Sequence, residues 1–207
     1  MAETQTDQKQ RILELSNKLF LKHGIRSVSM DDLARHLGVS KKTIYQFYDK
    51  KEDLVHDIVQ IHIEKEKNEI SKIVESSENA IDQMQKIAKM VLRTLGEVSS
   101  GTMFDLQKYY RRQWEAITAL HKTLIFEVIQ ANINWGIEEG IYRAEVNASI
   151  IARLYVELSY SIVNDDIFPM QKFEQQELYR QAFNYHINGI LSPKGEKLFQ
   201  KLNSSKE

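Results

Sequence analysis

Proline is absent from the first 168 residues of this 207-residue chain, and only Pro169 and Pro193 occur at all. Eight glycines accompany them. A β-rich chain of this length needs frequent turns, and turns draw on Gly, Pro, Asn and Asp. Long helices need few such signals, so the expected fold class is all-α. Apolar spacing agrees along nearly the whole sequence. Ile12, Leu15, Leu19 and Phe20 form one stripe that stops at His23-Gly24. Short helices are predicted at 30–37 and 41–47, and a longer one from Lys51 through Glu64-Lys65-Glu66-Lys67. Further helices are predicted from Ile81 to Gly96, at 103–111, 113–138, 147–166 and 170–191. No internal repeat of fixed period is present.

Composition removes several function classes. There is no cysteine, which excludes a disulfide framework, a thiolate metal site and a cysteine nucleophile. The 28 basic and 29 acidic residues nearly cancel, so the whole chain is not a polybasic binder. The longest uncharged run, Gln181 to Pro193, is too short and too polar to span a bilayer, so no membrane association is expected. The N-terminus begins Met-Ala-Glu-Thr-Gln-Thr-Asp-Gln, unlike a secretory signal, and a cytoplasmic location is expected. Nucleophile elbow, Gly-rich phosphate loop and His-Glu-x-x-His are all missing, so no catalytic residues, no cofactor and no metal site are expected. His62 and Glu66 stand four apart on the linking helix, a workable ligand spacing, but two ligands without a third favour an exposed salt-bridged face.

The informative stretch is Met30 to Tyr48. Ala34 supplies a small residue where two steeply crossed helices touch, and Gly38 tolerates the tight turn between them. Leu33, Leu37, Val39, Ile44 and Phe47 fall where a small core needs apolar side chains. Ser40 is placed to cap the second helix, and Ser29 or Met30-Asp31 the first. A helix that enters the major groove needs polar side chains for base edges, basic groups for phosphates and an apolar back. The segment 41–48 offers Lys41, Lys42, Thr43 and Gln46 outward with Ile44 behind, while Tyr45 and Tyr48 add phenol hydroxyls within reach of phosphates. Between 41 and 51, Lys41, Lys42, Lys50 and Lys51 face only Asp49.

Residues 8–55 resemble the N-terminal domain of the TetR (tetracycline-repressor) family of transcriptional regulators. The matching string runs from Ile12-Leu13-Glu14-Leu15 through His23-Gly24, Leu33-Ala34, Leu37-Gly38-Val39-Ser40-Lys41, Ile44-Tyr45, Phe47-Tyr48 and Lys51-Glu52-Asp53-Leu54. The resemblance implies a three-helix DNA-binding domain over 1–52 and a larger helical effector-binding and dimerisation domain over 53–207. It also implies that Ser40, Lys41, Thr43, Tyr45 and Lys51 touch DNA. Lys42 and Gln46 are the candidates for base contacts, because their side chains reach guanine O6/N7 or, for Gln, adenine N6/N7. Lys42 stands where the family often has a small residue, and Phe47 where His or Tyr is frequent, so no relative's operator transfers to this chain.

The expected function is therefore a ligand-responsive transcriptional repressor, not an enzyme, that binds a near-palindromic double-stranded DNA operator as a homodimer. A helical enzyme and a protein-binding adaptor are the rivals. Met103, Phe104, Tyr110 and Trp114 follow Gly101 closely and are candidates for an effector pocket, against plain core packing. The effector's identity is left open. The stripe on 147–166, with Ile150 and Ile151 adjacent, is broader than one partner helix covers, so Leu154, Leu158, Ile162, Phe183 and Ile187 are assigned to a two-fold interface, against the alternative that both stripes are spent on the subunit's own core.

Overall fold

A computed structural model describes residues 5–204. The polar start read against a secretory signal therefore lies partly outside the described residues. Among the latter there are eleven α-helices and no strand, only one isolated bridge between Tyr142 and Leu191. The chain forms two compact units. One holds residues up to Glu66 together with Glu97–Thr118; the other holds Lys67–Gly96 and everything from Ala119 on. The division differs from a cut at 52/53, because the helix after Ser99 packs with the N-terminal helices.

In the first unit, α1 (Gln5–His23) buries Ile12, Leu13, Ser16 and Phe20, and Gly24 closes it at φ 87°. Leu15 and Leu19 are only half-buried, so the inward face is rotated slightly from the predicted stripe. α2 (Met30–Leu37) starts with a capping box: Ser29 accepts from the Asp32 N–H and Asp32 accepts from the Ser29 N–H. It ends at Gly38, whose φ of 69° needs a residue without Cβ strain. α3 (Lys41–Tyr45) follows, then α4 (Lys51–Ser76), which begins in this unit and continues into the other. α6 (Ser100–Tyr109) is tied to the α1–α2 connection. The Ser99 N–H donates to Leu21 O at 2.8 Å, Thr102 Oγ1 donates to Phe20 O, and Asp105 Oδ2 accepts from the Arg26 N–H at 2.7 Å.

The second unit is built from α5 (Ala80–Glu97), α8 (Phe126–Glu138), α9 (Ala148–Ile162), α10 (Gln175–Ile190) and α11 (Pro193–Ser204). Its core gathers Met84, Ile87, Ile129, Ile133, Tyr142 and Ile187. The single helix predicted over 113–138 is three pieces: α7 (Arg111–Leu120), a π-helical turn His121–Ile125, and α8. At that turn Thr123 Oγ1 donates to Ala119 O at 2.9 Å and Leu120 O at 3.3 Å, a side-chain competitor for helix carbonyls. α9 stops earlier than predicted, and α10 starts at Gln175 because the Glu174 carboxylate accepts from the N–H groups of Gln176 and Glu177. α11 was not predicted. Pro193 occupies its first position, where no N–H is needed, and Ser192 Oγ accepts from the Gly195 N–H.

Candidate nucleic-acid interface

α3 stands on an apolar back. Ile44 is fully buried beneath it, together with Leu33, Ala34 and Leu37 of α2. Ser40 caps it: its Oγ accepts from the Thr43 N–H at 3.1 Å and shares a hydrogen bond with Thr43 Oγ1 at 2.8 Å. Turn-like bonds from the Phe47 and Tyr48 N–H groups to Ile44 O carry the helical path onward. Lys41, Lys42 and Gln46 are exposed, Tyr45 is 39% exposed and Thr43 is half-buried. This is the polar outer face that groove entry requires.

Lys41 is not an isolated charge. Its Nζ lies 2.9 Å from Asp31 Oδ1 on α2, and that carboxylate holds its pKa above the ordinary lysine value. Nζ also lies 5.9 Å from the centre of the Tyr45 ring. Any anion approaching Lys41 competes with Asp31 for the ammonium.

Two of the expected DNA-contact residues, Tyr48 and Lys51, have partners within the protein. Tyr48 is only 3% exposed, and its hydroxyl donates to Asp57 Oδ2 at 3.2 Å. Lys9 completes that group, 3.0 Å from Asp57 and 5.4 Å from the ring centre. Burial, then the Asp57 charge, pushes the phenol well above its usual range. Tyr48 braces α4 and offers no hydroxyl to a phosphate. Lys51 is likewise turned inward. Its Nζ donates to the carbonyls of Ile25 and Val28 and sits 5.3 Å from the Phe20 ring centre. Burial lowers its pKa, with Asp105 and Glu52 acting the other way. It ties down the loop before α2.

His62 donates through Nε2 to Asn17 Oδ1 at 2.8 Å, and burial lowers its pKa, so the imidazole joins α4 to α1. The four proposed pocket residues all lie in the first unit and do not share one environment. Phe104 is exposed and meets Tyr109 edge-on with Lys108 over it, whereas Tyr110 is buried. The Tyr110 phenol is pushed up to about 12 by burial, with Glu52 and Asp105 adding to it. Met103 and Trp114 are half-buried. Within the second unit, Ile162 (3% exposed) and Ile187 (0%) are buried in the subunit's own interior. Leu154 is 58% exposed, and Leu158 and Phe183 are half-buried. Asp57 and Asp105 were not singled out from sequence, and Asp31 only as a cap, because their partners Tyr48, Arg26 and Lys41 stand 9, 79 and 10 positions away.

Residues 12–58 match the family described as bacterial regulatory proteins, tetR family. The N-terminal domain is that of a TetR-family regulator. The match spans α1 to the start of α4, the same helices that present Lys42 and Gln46. The chain is 26% identical over 182 residues to YvaF of Bacillus subtilis, an uncharacterized HTH-type transcriptional regulator, covering 87% of this chain and 94% of that one. Two solved structures share the fold. A transcriptional regulator from Saccharomonospora viridis in complex with choline superposes with a TM-score of 0.74 at 15% identity, over 91% of this chain and all of that one. The ketosteroid transcriptional regulator KstR2 of Mycobacterium tuberculosis gives 0.63 at 19% identity, over 92% and 98%. The DNA-binding domain of the TetR type is thus shown for residues 12–58, and the relative matched over most of both chains carries the name of a transcriptional regulator. No helix among the described residues is long and apolar enough to cross a membrane.

Proposed function

We propose that this regulator is a cytoplasmic, homodimeric, ligand-responsive repressor, and that two copies of α3 read a near-palindromic operator. The dimer rests on one observation. Ile150 (56% exposed), Leu154 (58%) and Tyr185 (83%) stand out on α9 and α10, with half-buried Leu158 in line with the first two at a four-residue spacing. Apolar groups so exposed, on neighbouring helices, suit a self-complementary two-fold contact. Lys42 and Gln46 supply the base contacts; Ser40, Lys41, Thr43 and Tyr45 position α3 on phosphates. The ligand response is supported by the choline complex of the S. viridis protein, in which the same fold accompanies a small molecule.

Sedimentation at micromolar concentration tests the assembly. The wild-type chain is expected at twice its monomer mass, and Leu154→Glu at the monomer mass with its helical signal unchanged. A monomeric wild-type chain contradicts the dimer, and with it the two-half-site mechanism.

A further inference from the structure

The buried polar side chains of the second unit fall into two groups. One group satisfies itself. Asn132 Nδ2 donates to Ala80 O and to Gln83 Oε1, both at 2.8 Å, and Tyr142 donates its hydroxyl to Asn132 Oδ1 at 3.2 Å. Gln85 likewise donates to Asn203 Oδ1 at 2.9 Å. The other group does not. Tyr155 and Tyr179 share one hydrogen bond between their hydroxyls at 2.8 Å, which leaves one phenolic hydrogen over. His186 packs edge-on to the Tyr155 ring with centroids 4.7 Å apart, and its Nε2 is buried without a hydrogen-bond partner. Tyr155, Tyr179 and His186 are all buried. Buried polar groups in native folds are paired in the great majority of cases, so the unpaired His186 Nε2 beside a tyrosine pair with one hydrogen over calls for an explanation.

We propose that Tyr155, Tyr179 and His186 form the polar end of a ligand site in the second unit, for a largely apolar, uncharged molecule that carries a hydroxyl or carbonyl. The assignment rests on the ligand-responsive reading above and gives its effector a chemical class. A ligand hydroxyl accepts from the spare phenol hydrogen through its oxygen. It then either donates to His186 Nε2 or accepts from it, according to which ring nitrogen carries the proton. A carbonyl fits when Nε2 carries it. The charge of the ligand follows from the surroundings. Among the described residues of the second unit no Asp, Glu, Lys or Arg is buried as a whole, although one carboxylate oxygen of Glu139 is enclosed. His186 itself is neutral near pH 7, its pKa pushed down to about 4 by burial. A carboxylate or ammonium group brought here would lose its hydration without gaining a counter-charge. The neighbouring core contributes Met84, Met90 and Ile187, and methionine adapts readily to a guest. A π-helical turn lies in the same unit, in the α7–α8 segment, and such turns recur at functional sites.

The test uses straight-chain alcohols from hexan-1-ol to decan-1-ol, with the carboxylates and primary amines of matching length, on the full chain without DNA. At about a hundred times its Kd, the best alcohol should raise Tm by roughly 5 °C or more, and its charged counterparts should not. His186→Leu should keep or raise the Tm of the free protein, because it removes an unpaired buried polar atom, and should abolish the alcohol shift. Tyr179→Phe, which keeps the ring, should abolish the shift as well. The proposal is overturned if no alcohol shifts Tm, if a carboxylate or amine shifts it as much, or if His186→Leu lowers the free protein's Tm and retains the shift. Operator binding measured in parallel keeps the two readings apart. An alcohol that binds without releasing DNA leaves this site standing and removes the ligand response. Intact operator binding with no alcohol shift removes only this site.

Discussion

At the scale of single residues, Lys51 and Tyr48 show where sequence reading stops. Both belong to a motif whose register was correct, and both carry groups suited to phosphate. Their partners decided otherwise. The carbonyls of Ile25 and Val28 lie 26 and 23 positions away, and Asp57 lies one helix on. Lys51→Ala is therefore expected to lower thermal stability while leaving the log–log salt slope of DNA binding nearly unchanged; a slope reduced by about one charge's worth would restore the phosphate contact. Lys42 and Gln46 are exposed, and the proposed base contacts fall on them. Alanine at either should cost about 1–3 kcal/mol on the specific operator and relax base preference, and equal losses on random duplex would place both on phosphates instead. His186 gives a pH signature. Its folded pKa, about 4, lies below the ordinary 6.5, so the unfolded chain takes up the proton first. The stability due to the neutral imidazole is complete above about pH 6.5. It is lost as pH falls toward 4, by up to about 3 kcal/mol. Denaturant titrations at pH 7 and pH 4.5 should show that loss, and His186→Leu should reduce it.

At the scale of elements, helix positions were legible and their ends less so. Ser29, Gly38 and Ser40 act as the caps that their residue types announce, because capping is local chemistry. The π-helical turn at His121–Ile125 was not legible, since Thr123 does not reveal in sequence which carbonyl it will take. α11 was hidden because Pro193 reads as a terminator when it opens the helix. Close packing fixes its dock. A Cβ on Gly195 would stand 2.1 Å from Ile141 O, and one on Gly136 would stand 2.1 Å from the Tyr142 ring. Gly195→Ala or Gly136→Ala should each cost about 1–3 kcal/mol in chemical denaturation, as overpacking does. Ser29→Ala should cost about 0.5–2 kcal/mol through the lost cap, and wild-type stability in any of the three would contradict the packing or the cap.

At the scale of the molecule, the all-α class followed from the scarcity of proline and glycine, and the DNA-binding domain from one run of about twenty residues. The proposed interface face could be read from sequence only as far as its helices. Stripe periodicity identified the helices α9 and α10, but periodicity alone does not separate a side chain spent on its own core, such as Ile187, from one left outside, such as Leu154. The Tyr155–Tyr179–His186 cluster was not legible at all, because aromatic residues crowd both units and only burial with hydrogen-bond pairing distinguishes them. The central claim is that two copies of α3 read one operator through a two-fold assembly. Selection of bound duplexes from a random pool by the full-length chain tests it most directly. The account predicts enrichment of an inverted repeat whose half-sites lie about one helical turn apart, ~34–36 Å, or a whole number of turns. No enrichment, or a single unrepeated half-site, would contradict it.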